Sequence, residues 1–176
     1  MTIQEQIKEL KTKLEQQNKE MLDKIAELEK QAKAEEQQSK VWKPKENEMY
    51  YYVFDGGVDD YRWTDDDSDK ILYAIGNCFK TKEEAEWEKQ HRLVATELKH
   101  FVLENDPRPI TEEDWENSSV YKYFIYYSFP FKRVDWSNDT SGIIANQVYA
   151  SNKEVLLKAI EHIGEERLKK YYFGVK

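Results

Sequence analysis

The first forty residues carry apolar side chains at intervals of three and four, the spacing that lines one face of an α-helix. Residues 1–40 contain neither Gly nor Pro, and Glu and Lys fill many of the positions beside the stripe. A stripe this narrow is typical of a coiled-coil seam, which needs a partner helix. The pattern predicts an oligomerisation helix over residues 1–40 that binds further copies of the same chain. Its predicted contact residues are Ile3, Ile7, Leu10, Leu14, Asn18, Met21, Ile25 and Leu28.

Asn18 interrupts the rhythm of this seam. As a core position between Leu14 and Met21 it gives two consecutive steps of four, a stutter that locally relaxes a left-handed supercoil. A buried Asn is a device that fixes register and strand number at a loss of stability. The alternative is a helix that frays at Asn18, so that only its two halves pack. The number of strands and their direction stay open at this point.

Pro44 ends the predicted helical region, because a residue that precedes proline is pushed out of the α conformation. Residues 41–48 are therefore a predicted linker. Residues 49–176 form the predicted body, which is long enough for one ordinary hydrophobic core.

The body contains two stretches with the same order of patterns: an aromatic strand, a loop with a Trp, a further strand, and a helix that begins at a Ser or Thr cap. The fold class is predicted to be α+β, with an antiparallel sheet and helices on one face. The two halves are either a duplicated strand-strand-helix unit or a chance likeness. The first half comprises strands Met49–Asp55 and Tyr61–Trp63 around a Gly56–Gly57 turn, strand Ile71–Ile75, and a helix from Thr81 to Glu104. The second comprises strand Tyr121–Phe129, turn Ser137–Gly142, strand Ile143–Tyr149 and a helix capped by Ser151, after one capped turn at Thr111–Trp115.

Composition separates this chain from a disordered one. Charged residues make up 35% of the sequence, but aromatic residues make up 14%, which is enough to build a core. The single cysteine, Cys78, and the lack of an apolar run or leader predict an intracellular protein in a reducing compartment, without a membrane partner.

The net charge of −8 is unevenly placed along the chain. Residues 49–118 are strongly acidic, whereas residues 119–176 carry an excess of Lys and Arg. An acidic surface repels phosphate backbones and attracts basic partners, so general duplex binding is disfavoured.

No catalytic motif occurs in the sequence: there is no phosphate-binding loop, no nucleophile elbow and no metalloprotease motif. The three histidines lie on helical patterns without metal-ligand spacing, so the chain is predicted to be a non-enzyme without a cofactor. One acidic run stands out as a predicted docking surface, with Trp63 as an exposed anchor. An alternative is that this loop binds a hard cation in a metal-dependent enzyme. The predicted partner-binding residues are Asp59, Asp60, Trp63, Asp65, Asp66, Asp67 and Asp69.

A second alternative is binding to single-stranded nucleic acid. Aromatic and basic residues alternate over residues 121–127 and 129–133, and that mixture suits base stacking combined with phosphate pairing. Alternating aromatics in a central strand also serve as core and cross-strand pairs, which is the competing interpretation.

The residues 43–53, Trp63 and the run 76–86 (GNCFKTKEEAE) together resemble a segment of small uncharacterised phage and prophage proteins of Gram-positive bacteria, and residues 160–173 have a similar ending. The resemblance implies a phage accessory gene whose product acts in the cytoplasm of the bacterial host cell, and it supplies no catalytic residues. The expected function is an oligomeric protein that binds a host protein or protein–nucleic-acid complex and inhibits a defence system such as a CRISPR effector.

Overall fold

The computed structural model describes residues 2–38 and 41–176, with backbone only for Glu5 and residues 31–38. Residues 1, 39 and 40 of the predicted oligomerisation segment lie outside the described residues. The chain divides into two compact units, Met1–Lys43 and Pro44–Lys176, and each is described by itself. Among the helices of the described residues, none is both long and apolar enough to cross a membrane. The α+β class predicted from the sequence is confirmed.

The first unit is one helix, α1, which spans Ile3–Gln38. Its 36 residues give a rod of about 54 Å. Pairs four residues apart support its exposed surface: Glu9 and Lys13 form an ion pair at 2.9 Å, and the Gln16 amide donates to Glu20 at 3.3 Å. The predicted long helix is therefore present with nearly its predicted bounds.

The second unit, the body, opens with a hairpin of β1 (Met49–Phe54) and β2 (Gly57–Arg62). The connecting residues are Asp55 and Gly56, whose φ angles of 47° and 75° suit a tight hairpin turn. The turn thus lies one residue earlier than the Gly56–Gly57 turn that the sequence predicts.

Helix α2 (Asp67–Ala74) occupies the place of the predicted strand Ile71–Ile75, and that prediction is wrong. The Asp66 carboxylate caps the helix by accepting from the Asp69 N–H at 2.9 Å. Two acidic residues in the first turn, Asp67 and Asp69, complement the helix dipole. The acidic run is therefore a helix start, and the apolar residues after it continue the helix.

Helix α3 (Lys82–Asn105) begins at the predicted Thr81–Glu84 capping box, which is confirmed. The Thr81 hydroxyl accepts from the Glu84 N–H, and the Glu84 carboxylate accepts from the Thr81 N–H, both at 3.2 Å. Just before it, Phe79 forms an isolated antiparallel bridge with Tyr51. Helix α3 contacts β1 and β2 of the first half and the helices of the second half.

Helix α4 (Glu112–Glu116) is the predicted capped turn, with Thr111 and Asp114 forming its capping box. After it, β3 (Lys122–Ser128) pairs antiparallel with both β4 (Arg133–Asp139) and β5 (Tyr149–Ala150), in the order β4-β3-β5. The predicted turn at Ser137–Gly142 instead forms the end of β4 and the three residues after it. The predicted strand Ile143–Tyr149 is mostly loop. The Asp139 carboxylate ends β4 by accepting from the N–H groups of residues 140–142.

Helix α5 (Lys153–Ile163) is capped by Asn152, whose side chain accepts from the Glu154 N–H at 2.9 Å. The predicted cap at Ser151 is wrong, because Ser151 instead binds Asp106 at the end of α3 through its hydroxyl and its N–H. The chain closes with α6 (Glu165–Arg167) and one π-helical turn (Leu168–Tyr172). The main core joins α3, α5 and the π turn to the β3–β4 hairpin, through Val94, Leu98, Val102, Ile125, Val134, Leu156, Ile163 and Leu168 among others.

The two halves of the body share an arrangement. In each, a short third strand or bridge pairs with the first strand of a hairpin and leads into a helix, although α2 comes between hairpin and bridge in the first half only. Phe79 has this role beside β1, and Tyr149–Ala150 has it beside β3. The likeness that the sequence suggested is therefore present at the level of strand pairing.

Candidate interaction surfaces

The apolar seam of α1 is exposed in the described structure. Every predicted apolar seam residue has between 47% and 76% of its surface exposed, whereas core residues of the body fall below 9%. Exposed apolar residues scattered singly are ordinary, but a row along one helix face marks a docking surface. The row comprises Ile3, Ile7, Leu10, Leu14, Met21, Ile25 and Leu28.

Only part of the predicted docking loop is exposed to solvent. Trp63 is 2% exposed and packs edge-to-face against Tyr50 and Tyr73, with ring centroids 6.0 and 6.2 Å apart. The prediction of Trp63 as an exposed anchor is therefore wrong. The reason is tertiary: α2 folds back over the hairpin and covers the indole, which the hairpin sequence alone did not reveal.

Asp69 is fully buried, so it also cannot contact a partner directly. Its carboxylate accepts from the Tyr50 hydroxyl at 2.8 Å, from the Thr64 N–H at 2.6 Å and from the Thr64 hydroxyl at 3.2 Å. Burial alone raises the pKa of Asp69, but these hydrogen bonds outweigh burial, and the pKa lies below its ordinary value. Burial and the bond to Asp69 raise the pKa of Tyr50 far above its usual range. This buried network holds the hairpin to α2.

Five carboxylates of the run remain exposed. Asp59 and Asp60 follow one another on β2, so their side chains leave opposite faces of the hairpin. Asp65 forms an ion pair with Lys70 at 3.5 Å, and Asp66 caps α2. Asp67 lies exposed in the first turn of that helix. These five residues, which we call the acidic rim, carry negative charge along β2 and the start of α2.

Within the described part of the chain, no group of three or more His, Cys, Asp or Glu side chains has a metal-binding arrangement. Burial raises the pKa of Cys78 to about 11, with a further contribution from Asp69, so its thiol stays protonated at neutral pH.

The aromatic strand β3 mostly serves the core. Ile125 is fully buried, and Tyr123 and Tyr127 pack against the same core from the same face of the strand. Lys122 is also fully buried: its ammonium donates to the Thr140 carbonyl at 2.8 Å and lies 4.9 Å from the Trp115 ring centroid. Lys122 therefore cannot pair with a phosphate.

The turn after β3 differs, because Phe129 and Phe131 are 73% and 72% exposed. The Arg133 guanidinium lies 5.5 Å from the Phe131 ring centroid and is held there by Asp135, to which it donates at 2.6 and 3.0 Å. Phe129 packs edge-to-face on Tyr127 at 5.1 Å. The aromatic turn, residues 129–133, therefore presents two exposed phenyl rings, with the Arg133 guanidinium beside one of them.

A groove of about 750 Å³ lies between the start of α3 and the last residues of the chain, a feature that the sequence analysis missed. Its apolar lining includes Phe79, Trp87 and Val175, with Glu and Lys side chains on the rim. Trp87 stacks on His91 at 5.4 Å, and His91 Nδ1 lies 2.6 Å from the Tyr171 carbonyl oxygen. The only signal in the sequence was a Trp on the charged first turns of α3, and nothing there predicts that the chain end packs beside it.

Comparison with protein-family models, with curated proteins and with solved structures finds no match to this chain.

Proposed function

We propose that the protein is a non-enzymatic, self-assembling binding protein, in which α1 joins copies of the chain and the body binds a host macromolecule. The observation that carries the proposal is the row of exposed apolar residues along a 36-residue helix. A helix in water without tertiary packing is only marginally stable, and packing of its apolar face supplies the missing stability.

The size of the apolar seam supports association. Full burial of a Leu or Ile side chain contributes about 1.5–3 kcal/mol. Roughly half of that gain is still available to each of the seven seam residues, which are 47–76% exposed. Two copies together would gain on the order of 10–20 kcal/mol, against an association loss of about 4–15 kcal/mol. The upper part of this range exceeds the loss, so burial of the seam can drive association.

The proposed partner of the body is a basic host protein. Five exposed carboxylates rim the β1–β2 hairpin and α2, and residues 49–118 carry most of the chain's negative charge. Together with the resemblance to phage accessory proteins, this charge makes a nucleic-acid-binding defence protein, such as a CRISPR effector, the proposed target. Carboxylates arranged on such a rim steer a basic partner into encounter.

The assembly step is tested by placing a charge in the seam. Leu14→Asp should convert the oligomer to a monomer in sedimentation equilibrium, because a carboxylate in a dry seam is strongly unfavourable. Thr12→Asp is the matched control, since it adds the same charge two residues away, outside the apolar row, and should leave the oligomer intact. A monomeric wild-type chain at tens of micromolar, or an oligomer unaffected by Leu14→Asp, contradicts the proposal.

The exposed aromatic turn favours a second candidate function, binding to single-stranded nucleic acid. Phe131→Ala should then reduce the retention of the protein on single-stranded DNA, and retention should fall steeply with salt. Phe54→Ala is the control, since Phe54 is 63% exposed at the other hairpin turn but is followed by Asp55 rather than by cations. Equal effects of the two substitutions, or none, would exclude this function.

A further inference from the structure

The seam of α1 can be written as heptads with two kinds of core position. Positions a are Ile7, Leu14, Asn18 and Ile25, and positions d are Ile3, Leu10, Met21 and Leu28. The four-residue step from Leu14 to Asn18 is the stutter that restarts the heptad. On both sides of the stutter, Ile at position a is followed by Leu at position d, at residues 7 and 10 and at residues 25 and 28.

We infer that α1 pairs with α1 of one second copy in a parallel, in-register, two-stranded coiled coil. This inference rests on the assembly proposed above and adds the number of strands and their direction. Ile at a with Leu at d is the combination that favours two parallel strands, whereas Ile at both positions favours three or more.

Asn18 supports the same arrangement. In a parallel pair in register, Asn18 faces Asn18 of the second copy, and each carboxamide offers a donor and an acceptor to the other. A shift of one heptad would place one Asn18 against Ile25 and the other beside Lys11, which is not a core position, so the amide against Ile25 is left buried and unpaired. A single Asn at an a position therefore fixes the register and opposes higher oligomers.

The charges beside the seam distinguish the two directions. Lys24 is at position g and Glu29 at the following position e, and both side chains are exposed. In a parallel pair, g of one helix lies beside the following e of the other, so Lys24 meets Glu29 of the second copy on both sides. In the antiparallel register that keeps all the apolar positions paired, position g of one helix lies beside position g of the other. Lys13 of each copy then lies beside Lys24 of the other copy. The parallel pair therefore gains two ion pairs, where the antiparallel pair has two repulsions.

The direction has a functional consequence. Because both α1 helices end at the same end of a parallel pair, both chains enter their bodies from that end. A target with two sites, or two neighbouring copies of a target, can then be bound by both bodies at once, which raises the apparent affinity without any new contact.

The test measures distances between spin labels in the full-length chain. Cys78→Ser removes the native thiol, and either Lys19→Cys or Lys30→Cys places one label per chain on the outer face of α1. In the parallel pair the two variants should give similar short distances between copies. In the antiparallel pair the two Lys30 labels would be separated by about 38 Å along the axis, and the two Lys19 labels by only about 5 Å.

Each outcome has a separate meaning. Similar distances for both variants, with a modulation depth for two spins, are the expected result. A Lys30 distance far longer than the Lys19 distance would overturn the direction, and a depth for three or more spins would overturn the strand number, while assembly itself would stand in both cases. No dipolar coupling in either variant would overturn the proposed assembly together with this inference. Circular dichroism of each labelled chain checks that α1 remains helical.

Discussion

At the scale of single residues, the body depends on polar groups that are buried but fully bonded. In the described residues, no buried side-chain nitrogen or oxygen lacks a hydrogen-bond partner. Asp69 is the clearest case, because both oxygens of its carboxylate accept hydrogen bonds: Oδ1 from the Tyr50 hydroxyl, and Oδ2 from the Thr64 N–H and hydroxyl. Such a group stabilises the fold only while its partners are present, since a buried charge without them is strongly unfavourable.

Asp69→Asn should therefore lower the free energy of unfolding by about 1.5–3 kcal/mol, because the neutral amide loses the charge-assisted bonds and has one acceptor oxygen where the carboxylate has two. Urea denaturation followed by Trp fluorescence measures the loss. Asp67→Asn is the matched control, since Asp67 is exposed in the same helical turn and should change stability by less than about 0.5 kcal/mol. Equal losses for both variants would mean that the network contributes nothing beyond helix capping.

The same carboxylate predicts a pH dependence with a definite sign. The pKa of Asp69 is lower in the folded chain than its ordinary value of 3.8, so the unfolded chain takes up the proton first. The stabilisation by Asp69 is complete above pH about 4 and is lost as the pH falls through the folded pKa. The difference in unfolding free energy between wild type and Asp69→Asn should consequently shrink from pH 7 to pH 3. A difference that is constant over this range would show that ionisation of Asp69 does not contribute.

At the scale of elements, local signals predicted some features and tertiary contacts decided the others. Helices α1 and α3 are predictable from the sequence because the helical spacing of apolar residues repeats over a long stretch in each. Helix α3 also has a complete capping box at Thr81 and Glu84. The sequence predicts a strand at Ile71–Ile75 because an apolar run of five residues fits a strand or a helix. The acidic residues before it resemble a loop, although they cap α2. Strand β4 was missed because its sequence is polar, and only its pairing with β3 makes it a strand. The burial of Trp63 was equally unpredictable, since it requires α2.

The edge strands show how the body avoids pairing with other chains. On β4 the Val134 N–H donates to the Glu165 carboxylate and the Trp136 N–H to the Asp135 carboxylate, both at 2.9 Å. On β2 the Asp60 N–H donates to the Asp59 carboxylate at the same distance. These side chains occupy edge donors that would otherwise be a template for strand addition.

Glu165→Ala should remove one such block and leave the Val134 N–H without its carboxylate partner. The expected loss is about 1 kcal/mol of unfolding free energy, with faster aggregation on incubation near the melting temperature. Glu166→Ala is the matched control, because the Glu166 side chain is 86% exposed and makes only a long ion pair with Lys169. Light scattering during incubation compares the two variants. Identical aggregation rates would show that Glu165 does not protect the edge.

At the scale of the whole molecule, the sequence carries a clear signal for the apolar row of α1 and little signal for a binding face on the body. The row is visible in the sequence because residues on one face of a helix recur at intervals of three and four. A binding face on the body brings together residues that are distant in sequence, as Trp87 and Val175 are in the groove beside α3. Five of the predicted acidic residues do lie at the surface, but their capacity to bind a partner depends on the partner's own charges.

The acidic rim should contribute to binding and hardly at all to stability. Replacement of Asp65, Asp66 and Asp67 by Asn should leave the melting temperature nearly unchanged, because Asn caps a helix about as well as Asp and exposed carboxylates contribute little to stability. Capture of the partner from host lysate should weaken, mainly through a slower association rate, because exposed charges steer encounter. The difference from wild type should shrink as salt is raised, because salt screens these charges. Replacement of Glu15, Glu20 and Glu27 by Gln is the matched control: it removes the same net charge from α1 and should leave capture by the body intact. If both triple variants lose capture equally, net charge alone drives binding, and the binding face must instead be sought at the aromatic turn or in the groove beside Trp87.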